Sequence, residues 1–116
     1  GSTRAGRAIS RAAADTLKRV TLELGGKGAN VIFADADADA VARGVRHCFN
    51  NSGQSCNAPT RMLVEASAYD AAVETARKVA LETRVGPPEV EGDHIGPVVN
   101  KVQWDKIQGL IATGIK

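Results

Sequence analysis

Two residues stand apart from the pattern around them, and both are types that do chemistry. Cys56 lies in Gly53-Gln54-Ser55-Cys56-Asn57, outside any apolar periodicity and just past the expected end of a helix. A thiolate nucleophile needs an exposed, polar setting of this kind, where loop amides favour the charged form. On local surroundings alone, the commoner role of a free cysteine as a small buried hydrophobe stays open for it. Cys48, eight residues earlier, belongs to an apolar helical stripe and takes that commoner role. Glu23 is an acid in Val20-Thr21-Leu22-Glu23-Leu24, a run with strand alternation, where glutamate is depleted. It is either a solvent-facing residue or partner of Lys27, or a carboxylate that partial burial makes a better base, able to activate water. The third feature is Gly1-Ser2-Thr3-Arg4-Ala5-Gly6 ahead of a helix. Glycines there let a phosphate approach backbone N–H groups at the positive end of the helix dipole. A cleaved tag would also leave Gly-Ser, so both origins of Gly1 and Ser2 stay open.

The elements that must position these residues follow from periodicity. Residues 4–18 read as a helix, with Ile9, Ala12, Ala13 and Leu17 at helical spacing. Residues 20–24 read as a strand that places Thr21 and Glu23 opposite the three apolar residues, and Gly25-Gly26 ends it. Val31 to Ala34 is a short apolar run, read as a buried strand. Asp37 and Asp39 then start a helix in which Val41, Val45, Cys48 and Phe49 form one stripe, and residues 50–53 close it. Arg61 to Val64 is a third strand. Ser67 is expected to cap a helix reaching about Leu81, with Asp70 as a capping-box acid and Ala72, Val73, Ala76 and Ala80 inward. Residues 86–97 form a polar loop, and a last helix buries Ile107, Leu110 and Ile111. Helix alternating with strand points to an α/β sheet with helices packed on it.

Composition removes several classes of function. A length of 116 residues fits one small domain, and only four aromatics (Phe33, Phe49, Tyr69 and Trp104) leave the core to aliphatic residues and alanine. A net charge of +2, evenly scattered, gives no reason to expect nucleic acid or an anionic membrane. No apolar run approaches the ~20 residues of a membrane-spanning helix. His47 and His94 have no ligand spacing, so no metal site is expected. Neither a serine elbow nor a Walker loop occurs. Two cysteines in unlike surroundings do not make a disulfide framework, and a reducing cytoplasm is the default compartment.

Together the motifs resemble one family. Val20-Thr21-Leu22-Glu23-Leu24-Gly25-Gly26-Lys27 is similar to the glutamate signature of aldehyde dehydrogenases. Asn51-Ser52-Gly53-Gln54-Ser55-Cys56 is similar to their cysteine signature, 33 residues on, as the family leads one to expect. Ile32-Phe33-Ala34-Asp35-Ala36-Asp37, Arg61-Met62-Leu63-Val64, Ile95-Gly96-Pro97, Gln103 and Ile107 continue the likeness from end to end. The resemblance implies a partial aldehyde-dehydrogenase fold, a parallel-sheet core with flanking helices. Residues 1–22 would be the tail of the NAD-binding domain and 23–116 the first part of the catalytic domain. It implies Cys56 as nucleophile and Glu23 as base. It also makes Gly1, Ser2, Thr3 and Gly6 a native cofactor turn, with the Leu24 carbonyl holding the nicotinamide carboxamide. NAD is the implied cofactor, with NADP possible, the substrate a small-molecule aldehyde, and the parent enzyme a homo-oligomer.

The family's second oxyanion donor, its ribose-binding residues, most of its substrate tunnel and its oligomerisation strand all come from sequence this chain does not contain. The chain therefore reads as a fragment, inactive alone, whose exposed apolar surface should make it associate. A non-catalytic fragment that binds full-length subunits is the alternative. A small nucleotide-free thiol enzyme is a further one, although it would be expected to carry a histidine or resolving cysteine in a loop, and His47 and Cys48 lie on a helix.

Overall fold

The computed structural model describes residues 1–116, arranged as α1 (Thr3–Ala14), β1 (Ala29–Ile32), α2 (Ala40–Phe49), β2 (Arg61–Val64), α3 (Tyr69–Glu82) and α4 (Lys101–Ile115). Short helical turns at Asn50–Gly53 and Ala66–Ala68 precede the β2 and α3 regions. β1 and β2 pair in parallel, Ala29 opposite Arg61 through Ile32 opposite Val64, and α2 makes the crossover. Parallel neighbours need a crossover of this kind, because no tight turn can reverse the chain twice.

One face of the sheet carries Asn30, Ile32, Met62 and Val64, and it is this face that α2 covers. Ile32 is only 6 % exposed. Gly44 is the point of closest approach, since a β-carbon there would overlap the Asn30 side-chain amide and press on Met62. Ala42 and Val45 of α2 meet Val79 of α3, with Val41, Phe49, Met62 and Ala76 around them. At about 1.5–3 kcal/mol for each fully buried valine, so small a cluster holds α2, α3 and the sheet together but little more.

The opposite face, with Val31 and Leu63, is uncovered, and Phe33 just beyond β1 is 62 % exposed. Parallel sheets are normally buried on both faces. Only 8 of 116 residues are buried, and the accessible surface is 9306 Å². A self-contained monomer of 12.1 kDa would expose about 6,000 Å². The radius of gyration of 18.1 Å likewise exceeds the ~13 Å expected of a compact domain this long.

Several expected elements change. The run at 20–24 is not a strand: no second strand lies beside it, and the one main-chain hydrogen bond made by residues 19–26 joins the Gly1 amino group to the Glu23 carbonyl at 3.0 Å. Alternation supplied a face, but a ladder needs a neighbour. The first helix stops at Ala14 rather than 18. Leu17 turns left-handed (φ 51°), its N–H donating to Ala14 O at 3.0 Å while Lys18 N–H donates to Ala13 O at 3.2 Å. This is a Schellman ending without its usual glycine. β1 lies two residues earlier than the expected 31–34.

Ser67 does not cap α3; its hydroxyl donates to Glu65 Oε1 at 3.1 Å, and the cap position is Ala68 with no side-chain bond. Within α3, Ala72 is buried as expected, but Val79 replaces Val73 and Ala80 as its deep partner. No residue of α4 is buried, and Leu110 stays 63 % exposed, because nothing in the chain lies over that side. Asn100 caps α4 by accepting the Gln103 N–H at 2.9 Å.

The start of α2 makes a titration prediction. Asp39 occupies the cap position, yet the working acid is Asp37, whose carboxylate takes both terminal nitrogens of Arg43, at 2.8 and 2.6 Å, and the Asp39 N–H at 3.0 Å. The Arg43 hydrogen bonds, then the Asp39 amide, lower the Asp37 pKa from 3.8 to about 2. A carboxyl depressed by folding stabilises the fold above its unfolded pKa, and that contribution fades as pH falls from about 4 towards 2. A side-chain carbon NMR titration of Asp37 should show a midpoint of about 2, and Arg43→Ala should move it back towards the ordinary carboxylate range. A wild-type midpoint already in that range would refute the pairing.

Candidate active site

Cys56 sits in a tight turn that the chain builds from both sides. Upstream, Asn51, Ser52 and Gly53 all have positive φ (51°, 57° and 72°), turning the backbone sharply off the end of α2. Glycine and asparagine accept such angles readily, while the serine adds strain of order 1–3 kcal/mol that its surroundings must hold. Downstream, Ala58 N–H closes the turn on Ser55 O at 3.1 Å, and Ala58 is itself buried. The chain then enters β2, where Arg61 N–H donates to Gly28 O at 3.3 Å. Cys56 is exposed, a free thiol, and its N–H has no partner within the chain. Cys48 is half-buried and lines an apolar cleft of about 580 Å³ with Phe49, Val98, Trp104 and Ile107. The two cysteines thus occupy the different environments their neighbours implied.

Glu23 lies in the connection between α1 and β1 and is exposed, so the partial burial expected for a general base is not supplied by this chain. Its side chain forms no ion pair, with Lys27 or any other group. Its backbone is held, however. Gly6 of α1 is buried against Leu24, where a β-carbon would come within 3.0 Å of both Leu24 methyls. That contact, with the Gly1 amino group on the Glu23 carbonyl, brings the start of α1 and the segment at 23–24 together. Ser2 is the α1 cap, its Oγ accepting the Ala5 N–H at 3.2 Å, and Gly6 N–H donates to Ser2 O at 2.9 Å. The amides of Thr3 and Arg4, in the first helical turn, have no partner within the helix. The Leu24 carbonyl accepts no hydrogen bond. Gly1 and Gly6 therefore lie against Leu24, with Ser2 and Thr3 between them in the chain, and the group carries unpartnered amides and a free carbonyl.

Sequence reasoning missed Ser52 and Gln54. The Ser52 hydroxyl donates to the Gly96 carbonyl, and Gln54 Oε1 accepts the Val99 N–H at 2.8 Å. Both residues stand inside the cysteine motif, but their partners lie 44 and 45 residues away. Nothing in local periodicity could have named them.

The family model described as the aldehyde dehydrogenase family matches residues 1–116, and the chain belongs to that family. It is 50 % identical over 116 residues to a 3-succinoylsemialdehyde-pyridine dehydrogenase from a Pseudomonas species, covering 99 % of this chain and 24 % of that protein. Among solved structures it is similar to an aldehyde dehydrogenase from Bartonella henselae, with 70 % identity and a TM-score of 0.95 over 99 % of this chain and 24 % of that one. It is also similar to a variant of aldehyde dehydrogenase C from Pseudomonas syringae in complex with NAD+ and octanal, with 45 % identity, a TM-score of 0.92, and 99 % and 24 % coverage. The chain thus spans about a quarter of the relatives it matches, and its fold is a partial α/β aldehyde-dehydrogenase fold. No helix is long and apolar enough to cross a membrane.

Proposed function

We propose that this chain carries the nucleophile and base of an NAD(P)-dependent aldehyde dehydrogenase, with Cys56 and Glu23 in those roles. The observation that carries the reading is the exposed Cys56 thiol in a tight turn, beside its own unpartnered N–H. The thiolate adds to the aldehyde carbonyl carbon, and the carbonyl π electrons move to oxygen, giving a thiohemiacetal oxyanion. The Cys56 N–H is placed to donate to that oxygen. A nicotinamide cofactor, when bound, would supply the acceptor for the hydride lost from the thiohemiacetal carbon; as the carbonyl re-forms, Cys56 is left holding a thioester. Glu23 then takes a proton from water, the hydroxide adds to the thioester, and the carboxylic acid departs as sulfur leaves as thiolate.

The start of α1 suits the cofactor's pyrophosphate: two unpartnered amides, the positive end of a 12-residue helix, and Arg4 and Arg7 nearby in sequence. The free Leu24 carbonyl suits the carboxamide N–H. NAD is the favoured form, since the Pseudomonas syringae relative binds NAD+. The substrate is a small-molecule aldehyde, and the whole enzyme is a cytoplasmic homo-oligomer. Residues 1–22 belong to the cofactor domain and 23–116 to the catalytic domain.

Alone, the chain has the chemical groups without a closed site, and a positioned cofactor supplies much of the rate. The test compares the purified chain with a chimera in which it replaces the matching quarter of the Bartonella henselae enzyme. The chimera should form NADH from aldehydes, and the chain alone should form none. A folded, NAD-binding chimera that makes no NADH would sink the dehydrogenase reading, and turnover by the chain alone would overturn its inactivity.

A further inference from the structure

The turn that presents Cys56 is anchored on two sides. Downstream the anchor is the β1–β2 ladder, three residues beyond the buried Ala58. Upstream it is the bend at 51–54, with the Gln54 side chain as its direct tie to Val99. Gln54 donates both its N–H (3.1 Å) and its Nε2–H (3.0 Å) to the Asn51 carbonyl, and Asn51 Nδ2 donates back to the Gln54 carbonyl at 3.3 Å. This closes the left-handed bend at 51–53 on itself. The remaining end of the same amide, Oε1, accepts the Val99 N–H at 2.8 Å, and Ser52 reinforces the join through the Gly96 carbonyl. Without the Gln54 side chain, the main-chain closure of the bend and the Ser52 bond to Gly96 remain, but the direct tie from the bend to Val99 is lost and the upstream hold on the Cys56 turn is weakened.

We propose that Gln54 is a positioning residue for the Cys56 nucleophile, its side chain latching the thiol-bearing turn to Val99. The inference rests on Cys56 being the nucleophile of the reaction above. A latch of this kind serves addition to a carbonyl because both the sulfur and the Cys56 N–H must meet the same substrate, one at carbon and one at oxygen. A turn free to rotate satisfies one requirement at a time.

The test has two arms. In the 116-residue chain, amide hydrogen exchange should show Val99 and Ala58 exchanging about tenfold faster or more in Gln54→Leu, while Val45 and Val79 in the helical core stay unchanged. In the chimera, Gln54→Leu should lower kcat for aldehyde oxidation by about tenfold or more with the aldehyde KM within about twofold. Gln54→Glu keeps an acceptor for Val99 but faces the Asn51 carbonyl with a carboxylate oxygen in place of Nε2–H, so both readouts should fall between leucine and wild type. Release of Val99 with Ala58 still protected, or an unchanged kcat, would overturn the latch. If the leucine variant fails to fold, the glutamate variant decides: Val99 protection and kcat that stay or fall together support the proposal, and one changing without the other overturns it. A wild-type chimera without NADH formation defeats the dehydrogenase reading instead, and the exchange arm still judges the latch.

Discussion

Replacing Cys56 with serine in the chimera should lower NADH formation by about 10³-fold or more, whereas Cys48→Ala should stay within a few-fold of wild type. Two independent features set the size of the difference. A serine hydroxyl is hardly ionised at neutral pH, and within this chain the only histidines are His47 on α2 and His94 in the loop before α4. A thiol is already partly thiolate there and is intrinsically more nucleophilic. Sulfur is also the better leaving group, so serine would slow the second half-reaction as well as the first. Cys48 has none of these duties. It is half-buried against Phe49, Val98 and Ile107, and alanine there removes one sulfur from a loosely filled cleft. The measurement is NADH absorbance with a panel of aldehydes, run beside cofactor-binding titrations that confirm each variant still folds. Equal loss in both variants would mean that packing around α2, not a nucleophile, carries the activity.

The fold class and the settings of the two cysteines were legible in the sequence, and the long-range partners were not, for a physical reason. A candidate chemical residue is noticed locally, by a type that does not suit its surroundings. Cys56 lies outside any stripe among turn formers, and Glu23 is an acid in a strand-like run where glutamate is depleted; both signals are local, and each left a structural alternative open until the family resemblance was added. The α2 stripe and β2 were readable for a related reason, since their partners lie within this chain: Val45 meets Val79, and Ile32 pairs with Val64. Residues 20–24 and α4 show the opposite case. Both carry the right periodicity, yet one forms no ladder and the other buries nothing, because periodicity declares a face and not what covers it. The same limit hid Gln54, whose meaning depends on a backbone N–H 45 residues away. Ser67 failed as a cap through local competition, its hydroxyl engaging the carboxylate of Glu65, which at its other oxygen also takes the Ala34 N–H at 2.9 Å. The resemblance filled part of this gap, because a family motif carries long-range partners along with its local residues.

Glu23→Gln in the chimera should separate the two halves of the reaction. The amide keeps the size and shape of the carboxylate but cannot take a proton from water. Addition of the Cys56 thiolate and loss of hydride do not require that base, so each active site should yield one rapid equivalent of NADH. Hydrolysis of the thioester should then slow by about 10²–10⁴-fold, the usual worth of a general base. The expected trace is a burst equal to the enzyme concentration followed by a slow line, and mass spectrometry of the quenched protein should find the acyl group on the peptide containing Cys56. Hydroxylamine, a nucleophile that needs no help from Glu23, should discharge that thioester and raise the slow phase. The exposure of Glu23 in this chain makes the result informative about the missing walls. In the chimera those walls return, and the carboxylate gains the enclosure it lacks here. If the burst is lost along with the steady state, Glu23 acts before hydride transfer, as the base that activates the thiol. If the steady state is unchanged, Glu23 is not the hydrolytic base, and the water must be activated by a group outside this quarter of the enzyme.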